Sequence, residues 1–304
     1  MKILGTGLTG LVGSRFVELL ESVYEFSHIN LENGVNILEK KSVFDIISSS
    51  NVDLVIHMAA KTNVDGCELD KQKDKDAINT QDFTKIINEK SAWAVNVLGT
   101  KNIIEACQKN NKKLLYVSTD FVFDGTKKSY TEEDIPNPLN WYAKTKYEGE
   151  KLIQDSGLDY IIVRLAYPYR AFFERNDFVR GLISKLEKGE KVEMLTDHIM
   201  VPTFIDDIVN ALDVLIQKEE KGIFHVVGSQ SITPYEACLR IAKEFELDSN
   251  LISKTTRREY FAGKAPRPFC LKLKNDKISN LGVEMSSFDK GLIEIKHQIE
   301  RIQI

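Results

Sequence analysis

The sequence predicts a doubly wound parallel α/β sheet with a smaller C-terminal lobe, and three observations carry that prediction. Short apolar runs recur at residues 2–4, 53–57, 113–118 and 160–164. Segments with a 3.6-residue apolar period separate them. Strands alternating with helices imply βα units, and right-handed crossovers put helices on both faces of the sheet. A glycine-spaced string, Thr6-Gly7-Leu8-Thr9-Gly10-Leu11-Val12-Gly13, joins the first strand to the first helix.

The elements follow in order. Residues 2–4 form a short strand and 14–20 a helix, with a weaker apolar–polar stretch at 25–31 and a helix near 41–49. The run 53–57 carries apolar Leu54, Val55 and Ile56 between an aspartate and a histidine. Residues 92–109 keep a helical period through Val95, Leu98, Ile103 and Ala106, and a helix over 140–155 precedes the strand 160–164. Past Arg164 the rhythm breaks. Helical patterns at 178–186 and 204–217 lead to a strand over 222–228. Thr233-Pro234 then opens a helix, with a hydroxyl cap and proline at its first turn. Residues 1–165 with a returning segment 204–228 are expected to form the dinucleotide-binding domain, and 166–203 with 229–304 the lobe. The stretch 66–91, rich in Asp, Lys and Glu, is expected to be a solvated helix or loop.

Composition excludes several function classes. A net charge of −4 argues against a nucleic-acid or anionic-membrane partner. The 4 cysteines, Cys67, Cys107, Cys238 and Cys270, are too scattered for a zinc site or a disulfide framework. Cys107 and Cys238 fall in apolar helical patterns and are expected to be buried, inert thiols. A strand and turn follow Met1-Lys2 directly, leaving no room for a signal peptide. No apolar run approaches the roughly 20 residues that span a bilayer. The expectation is a cytoplasmic protein.

The glycine string suits a dinucleotide. A strand, a tight turn and a helix N-terminus bring backbone amides to a pyrophosphate. Gly7 allows the turn, Gly10 lets the backbone approach the phosphates, and Gly13 lets helix and strand pack closely. Beyond the second strand, an acid would bind a ribose 2′-hydroxyl and a cation would favour a 2′-phosphate. The chain offers Asn30, Glu32 and Asn36 there. Glu32 leans toward NAD, whereas Arg15, Lys40 and Lys41 could reach a phosphate.

A proton-transfer set follows. Tyr-x-x-x-Lys places a phenol and an ammonium on one helix face. The ammonium is expected to stabilise phenolate and lower the phenol pKa from about 10, as a general acid for carbonyl reduction needs. The pattern occurs at Tyr142/Lys146, Tyr147/Lys151 and Tyr260/Lys264. Only Tyr142 follows the buried strand that ends in Ser118-Thr119. Tyr142 and Lys146 are therefore the expected catalytic pair, with Thr119 aligning the phenol. His57 is expected to be a packed strand-end histidine, and Ala59 and Ala60 to admit the cofactor.

These strings resemble one family of the extended short-chain dehydrogenase/reductase superfamily, dTDP-4-dehydrorhamnose reductase, with its Rossmann-type fold. Ser118-Thr119-Asp120-Phe121-Val122-Phe123-Asp124-Gly125 is similar to its STDYVFDG, and residues 138–151 to its PLNxYGKTKxxGE. Val64-Asp65 with Glu68, Val95-Asn96 with Gly99, Asp197 with Pro202-Thr203, and Arg267-Pro268 are similar to further family motifs. The resemblance implies reduction of the C4 ketone of a nucleotide-linked 6-deoxy-4-keto hexose, with NADPH or NADH giving hydride and Tyr142 the proton. It implies Lys146 on the nicotinamide ribose and cofactor contacts at Leu11, Val12, Gly13, Asn36, Ile37, Ala59, Ala60 and Lys61. Substrate contacts carry over to Thr119, Asp120, Tyr167 and His198. A homodimer, and Mg²⁺ in its assembly, would follow from the family alone.

Departures stand beside the matches. Asn30 and Asn36 replace acids, Tyr167 replaces a tryptophan, and His198 replaces a glutamine. Residues 66–91 exceed the family pattern by over a dozen positions, and Phe269-Cys270 stands where a serine is usual. Two rival readings share the resemblance. One is a nucleotide-sugar 4-epimerase or 4,6-dehydratase that retains its NAD. The other is a non-catalytic regulatory subunit of methionine adenosyltransferase.

Overall fold

Strands buried on both faces need near-continuous apolar sequence, and the N-terminal half supplies it. The computed structural model describes residues 1–302. They divide into two units. The first comprises Met1–Val122, Pro136–Val163 and Glu220–Ile223, and the second Phe123–Ile135, Arg164–Glu219 and the chain from Phe224 onward.

In the first unit the order is β1 (Lys2–Thr6), α1 (Leu11–Leu20), β2 (Glu25–Ile29), α2 (Lys40–Ser49), β3 (Leu54–His57), α3 (Val64–Thr80) and α4 (Thr84–Asn88). Then come α5 (Thr100–Lys109), β4 (Lys113–Thr119), α6 (Trp141–Gln154) and β5 (Tyr160–Leu165). A later strand, β9 (Gly222–His225), completes a six-stranded sheet of order β2-β1-β3-β4-β5-β9. The pairings β1·β2, β1·β3 and β3·β4 are parallel, with Thr6 opposite both Ile29 and His57. Strand order reverses between β1 and β3, the kind of switch point where open α/β sheets bind ligands. Leu4, Ile29, Val43, Val55, Ile103, Leu114 and Ile162 form one continuous core. Fully burying each such side chain contributes about 1.5–3 kcal/mol. Cys107 and Cys238 are buried and free, and burial pushes both thiols up to about 12, so they stay protonated as expected.

Two expectations need correction here. The helix over 92–109 is not uniform, because Ala94–Gly99 is a π-helical stretch before α5 begins. Ile37 presses on that stretch: a Cβ at Gly99 would lie 2.8 Å from Ile37 Cδ1. The charged stretch 66–91 is not a merely solvated surface. It forms most of α3 and α4, and Asp70 and Asp74 in α3 are buried at 5% and 0% exposure. Besides Lys73, which pairs with Asp70, their partners lie outside α3, which local composition cannot reveal.

The second unit contains β6 (Pro168–Tyr169), α7 (Phe178–Glu187), β7 (Val192–Leu195), β8 (Thr203–Phe204) and α8 (Ile205–Gln217). After β9 come α9 (Pro234–Glu244), β10 (Ile252–Thr255), α10 (Arg257–Tyr260), α11 (Asp276–Ser279) and α12 (Phe288–Ile302). Parallel pairs β7·β10 and β6·β8 flank a core containing Tyr169, Leu182, Phe204, Ile241 and Phe288. Thr233 and Glu236 form a reciprocal capping box with Pro234 in the first turn of α9. The segment returning to the first unit is only Glu220–Ile223, not 204–228. Phe204 belongs to the second unit's core, so β8 stays with it. Residues Phe123–Ile135 also fall in this unit, tied in by Tyr130, whose N–H donates to Lys272 O at 2.9 Å. His225 is fully buried between the Lys274 carbonyl (3.1 Å) and the Arg164 guanidinium (3.4 Å). Burial, then Arg164, lowers its pKa to about 3, so the ring is neutral.

Candidate active site

The C-terminal ends of neighbouring strands carry the first group of candidate residues. Gly7 follows β1 with φ of 70°, a conformation costly for any side chain. A Cβ there would lie 2.6 Å from Ala59 N, and one at Gly13 would lie 2.4 Å from Gly7 O. Gly10 caps α1 without a side-chain hydrogen bond. The turn therefore packs as backbone on backbone, and Leu11, Val12 and Gly13 form the first turn of α1. A dinucleotide pyrophosphate fits such a cradle. The turn is held from β3: Thr6 Oγ1 accepts from Ala59 N–H at 3.1 Å and bonds His57 Nδ1 at 2.7 Å. His57 Nε2 bonds Thr100 Oγ1 at 2.9 Å. Burial, then Lys146, lowers the pKa of His57 to about 3, so it is the neutral packed histidine expected.

The adenosine-side candidates lie on two turns. Asn30 follows β2 and its Oδ1 accepts from Asn33 N–H at 2.8 Å, while Glu32 is exposed at the tip of that turn. Asn36 caps Leu38 N–H at 3.0 Å, and Ile37 O accepts from Asn102 at 2.9 Å. Ala60 is part-exposed after β3. Lys61 turns its ammonium to Asp70 at 2.6 Å, and its N–H donates to Asn96 Oδ1 at 2.8 Å.

The proton-transfer residues belong to the same unit. Thr119 ends β4, while Tyr142 and Lys146 stand in the first turns of α6. Asn140 caps that helix by accepting from Ala143 N–H at 2.9 Å. The helix lies close on β4: a Cβ at Gly149 would sit 2.5 Å from the Tyr116 hydroxyl. Thr119 Oγ1 donates to Asp120 Oδ1 at 3.0 Å and also hydrogen-bonds the Tyr142 phenol. Phe121 packs edge-on against the Tyr142 ring at 6.3 Å. Lys146 is 2% exposed, and its ammonium lies over the Tyr116 ring, 4.0 Å from its centroid.

The electrostatics correct the expected direction for Tyr142. Its pKa is raised, not lowered: burial penalises the phenolate, Asp120 and Cys67 add to this, and the Thr119 hydrogen bond only partly offsets it. The ammonium invoked for the opposite effect is itself weakened, because burial lowers Lys146 to about 7 with Glu150 opposing. Desolvation outweighs the one-turn pairing. Burial also raises Asp120 to about 7, against the hydrogen bond from Thr119, and its Oδ2 has no partner. The other two pairs are ring–ammonium contacts, with Lys151 5.4 Å from the Tyr147 centroid and Lys264 4.6 Å from the Tyr260 centroid.

In the second unit the two remaining substrate candidates meet each other. Tyr167 Oη lies 2.9 Å from His198 Nε2, and His198 Nδ1 lies 2.9 Å from Pro268 O. A carbonyl can only accept, so Nδ1 carries the proton and Nε2 accepts from the tyrosine. Burial lowers His198 to about 4, which keeps this arrangement neutral. Tyr167 has φ of 42°, a strained conformation for an aromatic residue.

Sequence reasoning quoted Asn96 within a motif without giving it a role. It is 1% exposed, and its Nδ2 donates to Lys61 O at 3.1 Å and Thr145 Oγ1 at 2.9 Å. It thus ties the loop after β3 to the helix of Tyr142. Among the described residues, no group of three or more His, Cys, Asp and Glu could hold a metal ion. No helix among them is long and apolar enough to cross a membrane.

Comparison with known proteins identifies the family. The family model described as RmlD substrate binding domain matches residues 1–91 and 87–301. A dTDP-4-dehydrorhamnose reductase of Aggregatibacter actinomycetemcomitans is 30% identical, over 98% of this chain and 99% of its own. Methionine adenosyltransferase 2 subunit beta of Mus musculus is 28% identical, over 96% of this chain and 86% of its own. A solved dTDP-4-dehydrorhamnose reductase from Bacillus anthracis, in complex with NADP, superposes with a TM-score of 0.85 at 26% identity, covering 98% and 99% of the two chains. With a glycine cradle, a Thr–Tyr–Lys set on adjoining elements and a family match over nearly its whole length, the chain belongs to the RmlD substrate-binding-domain family, that of dTDP-4-dehydrorhamnose reductase.

Proposed function

We propose that the protein reduces the C4 ketone of a nucleotide-linked 6-deoxy-4-keto sugar, giving dTDP-L-rhamnose or a related product. The observation that carries this reading is that Thr119 at the end of β4 meets Tyr142 in the first turn of α6, one turn before Lys146, in the unit that holds the glycine cradle. The residues fit a nicotinamide dinucleotide: Gly7, Gly10 and the first turn of α1 would hold its pyrophosphate, and Lys146 its nicotinamide ribose. When bound, the reduced cofactor supplies hydride to the ketone carbon.

The chain's own residues handle the proton. A phenol whose pKa is raised stays protonated across the neutral range, so Tyr142 is loaded as an acid. Tyr142 gives its proton to the alkoxide oxygen left by hydride addition. Once the phenol has given up its proton, the Thr119 hydroxyl can turn from Asp120 Oδ1 to donate to the phenolate. Asp120, Tyr167 and His198 are assigned to the sugar nucleotide. NADPH suits the site better than NADH, because Asn30 rather than an acid follows β2 and Glu32 stands out in solvent.

The deciding experiment follows reduced-nicotinamide absorbance with a panel of 4-keto nucleotide sugars and both cofactors. One cofactor oxidised per sugar reduced is the expected result. A tightly retained NAD with no net consumption would instead identify an epimerase or dehydratase. Cofactor binding without turnover of any ketone, in a protein that co-purifies with a methionine adenosyltransferase, would overturn the enzymatic reading.

A further inference from the structure

The helix α3, whose charge pattern suggested a solvated surface, holds the start of the helix that bears Tyr142. Two of its carboxylates grip one residue, Trp141, immediately before the phenol. Glu68 Oε2 accepts from the Trp141 backbone N–H at 2.7 Å, and Asp74 Oδ2 accepts from its indole Nε1–H at 2.7 Å. Asp74 Oδ2 also accepts from Trp93 N–H at 3.0 Å, while its Oδ1, fully buried, has no partner. The Trp93 and Trp141 rings stack with centroids 5.9 Å apart at 24°. Cys67, Ala92 and Trp141 form a small buried cluster, and Tyr142 packs against it.

The grip is itself braced. Asp70, one turn before Asp74, accepts from Ala92 N–H at 2.8 Å and pairs with Lys61 at 2.6 Å and Lys73 at 2.9 Å. Burial disfavours its charge, but the Lys61, Lys73 and Ala92 hydrogen bonds prevail and its pKa is lowered. Lys73 reaches on to Glu89 at 2.8 Å, and Lys71 pairs with Glu68 at 2.6 Å. Asp74 thus bonds two distant segments at once, 19 residues away at Trp93 and 67 away at Trp141. Burying a carboxylate oxygen without a partner disfavours the fold. An acid in that position is poorly explained by packing alone.

We propose that Asp74, acting through Trp141, is a positioning residue that sets where the Tyr142 hydroxyl sits. Glu68 fixes the first backbone amide of α6 and Asp74 fixes the adjoining indole, so the phenol leaves the helix from an immobilised base. Displacing a reacting group by about 1 Å can cost on the order of a hundredfold in rate without loss of binding. The inference rests on the proposed role of Tyr142 as proton donor.

The test compares Asp74→Leu, which removes the acceptor, with Asp74→Asn, which keeps an oxygen where Oδ2 lies. Asp74→Leu is expected to lower kcat tenfold or more, with KM for NADPH and sugar within threefold of wild type. Asp74→Asn should restore most of the loss. Trp141→Phe removes the indole donor together with part of the ring stacked on Trp93 and should lose at least as much as Asp74→Leu, and the double variant should be no slower than Trp141→Phe alone. Trp141→Phe carries the same test if Asp74→Leu does not fold. A second readout needs no substrate: amide hydrogen exchange at residues 141–146 should quicken in Asp74→Leu and recover in Asp74→Asn. That arm stands even if the wild type reduces no ketone, a result that would count against the proposed function alone. Wild-type kcat in Asp74→Leu, multiplying rather than overlapping losses in the double variant, or unchanged exchange over 141–146 would overturn the assignment.

Discussion

Replacing Tyr142 by phenylalanine isolates the proton from everything else the residue does. The ring would stay, since it packs edge-on against Phe121 at 6.3 Å and on the cluster of Cys67, Ala92 and Trp141. What disappears is one hydroxyl and its hydrogen bond to Thr119. The lost hydrogen bond should cost about 1 kcal/mol of stability. Catalysis should suffer far more. A positioned general acid contributes roughly 10²–10⁴ in rate, or about 3–5 kcal/mol of barrier. NADPH oxidation at saturating 4-keto sugar is the assay, with cofactor affinity followed by nicotinamide fluorescence. Turnover should fall at least a hundredfold while NADPH affinity stays within about twofold. Turnover within threefold of wild type would refute the role. Tyr147→Phe serves as the matched control: the ring that meets Lys151 remains, and no loss is expected.

Other perturbations follow from the same geometry. Lys146 has its pKa lowered to about 7 by burial, so its charge is present below that value and lost above it. Log kcat/KM for ketone reduction should therefore decline as pH rises through about 7, and a flat profile from pH 6 to 9 would contradict this. Tyr167→Phe removes the donor to His198 Nε2. It should raise the sugar KM about fivefold, the scale of one hydrogen bond, with NADPH affinity unchanged by titration. Gly13→Ala would drive a Cβ to within 2.4 Å of Gly7 O, so equilibrium binding should show NADPH affinity reduced at least tenfold. An unaltered NADPH titration curve would show that the turn can yield.

The legible parts of this chain were those encoded at short range. Gly7, Gly10 and Gly13 announce a turn because their spacing is the turn, and Tyr142 and Lys146 share a helix face because they are four residues apart. Thr119 could be placed because an apolar run ends at it. The direction of the Tyr142 shift was not legible, since it depends on burial and on Asp120 and Cys67 rather than on helical spacing. Nor was the role of α3. Asp74 looks like one charge among many until Trp93 and Trp141, remote in sequence, are brought to it. The π-helical stretch escaped for a related reason: a 3.6-residue period tolerates one widened turn, and the contact of Ile37 with Gly99 is invisible locally.

The two neutral, fully buried histidines have a consequence for acid tolerance. His57 lies in the first unit and His225 in the second, each with its pKa lowered to about 3, mainly by burial. Once unfolded, both rings would titrate near 6.5, so between those values the unfolded chain binds protons that the native chain refuses. Stability from this source is complete above about 6.5 and drains away as acidity increases. At pH 5 the loss is about 2 kcal/mol for each ring. Mild acid should therefore weaken both halves of the molecule over one common interval, well before most carboxylates are neutralised.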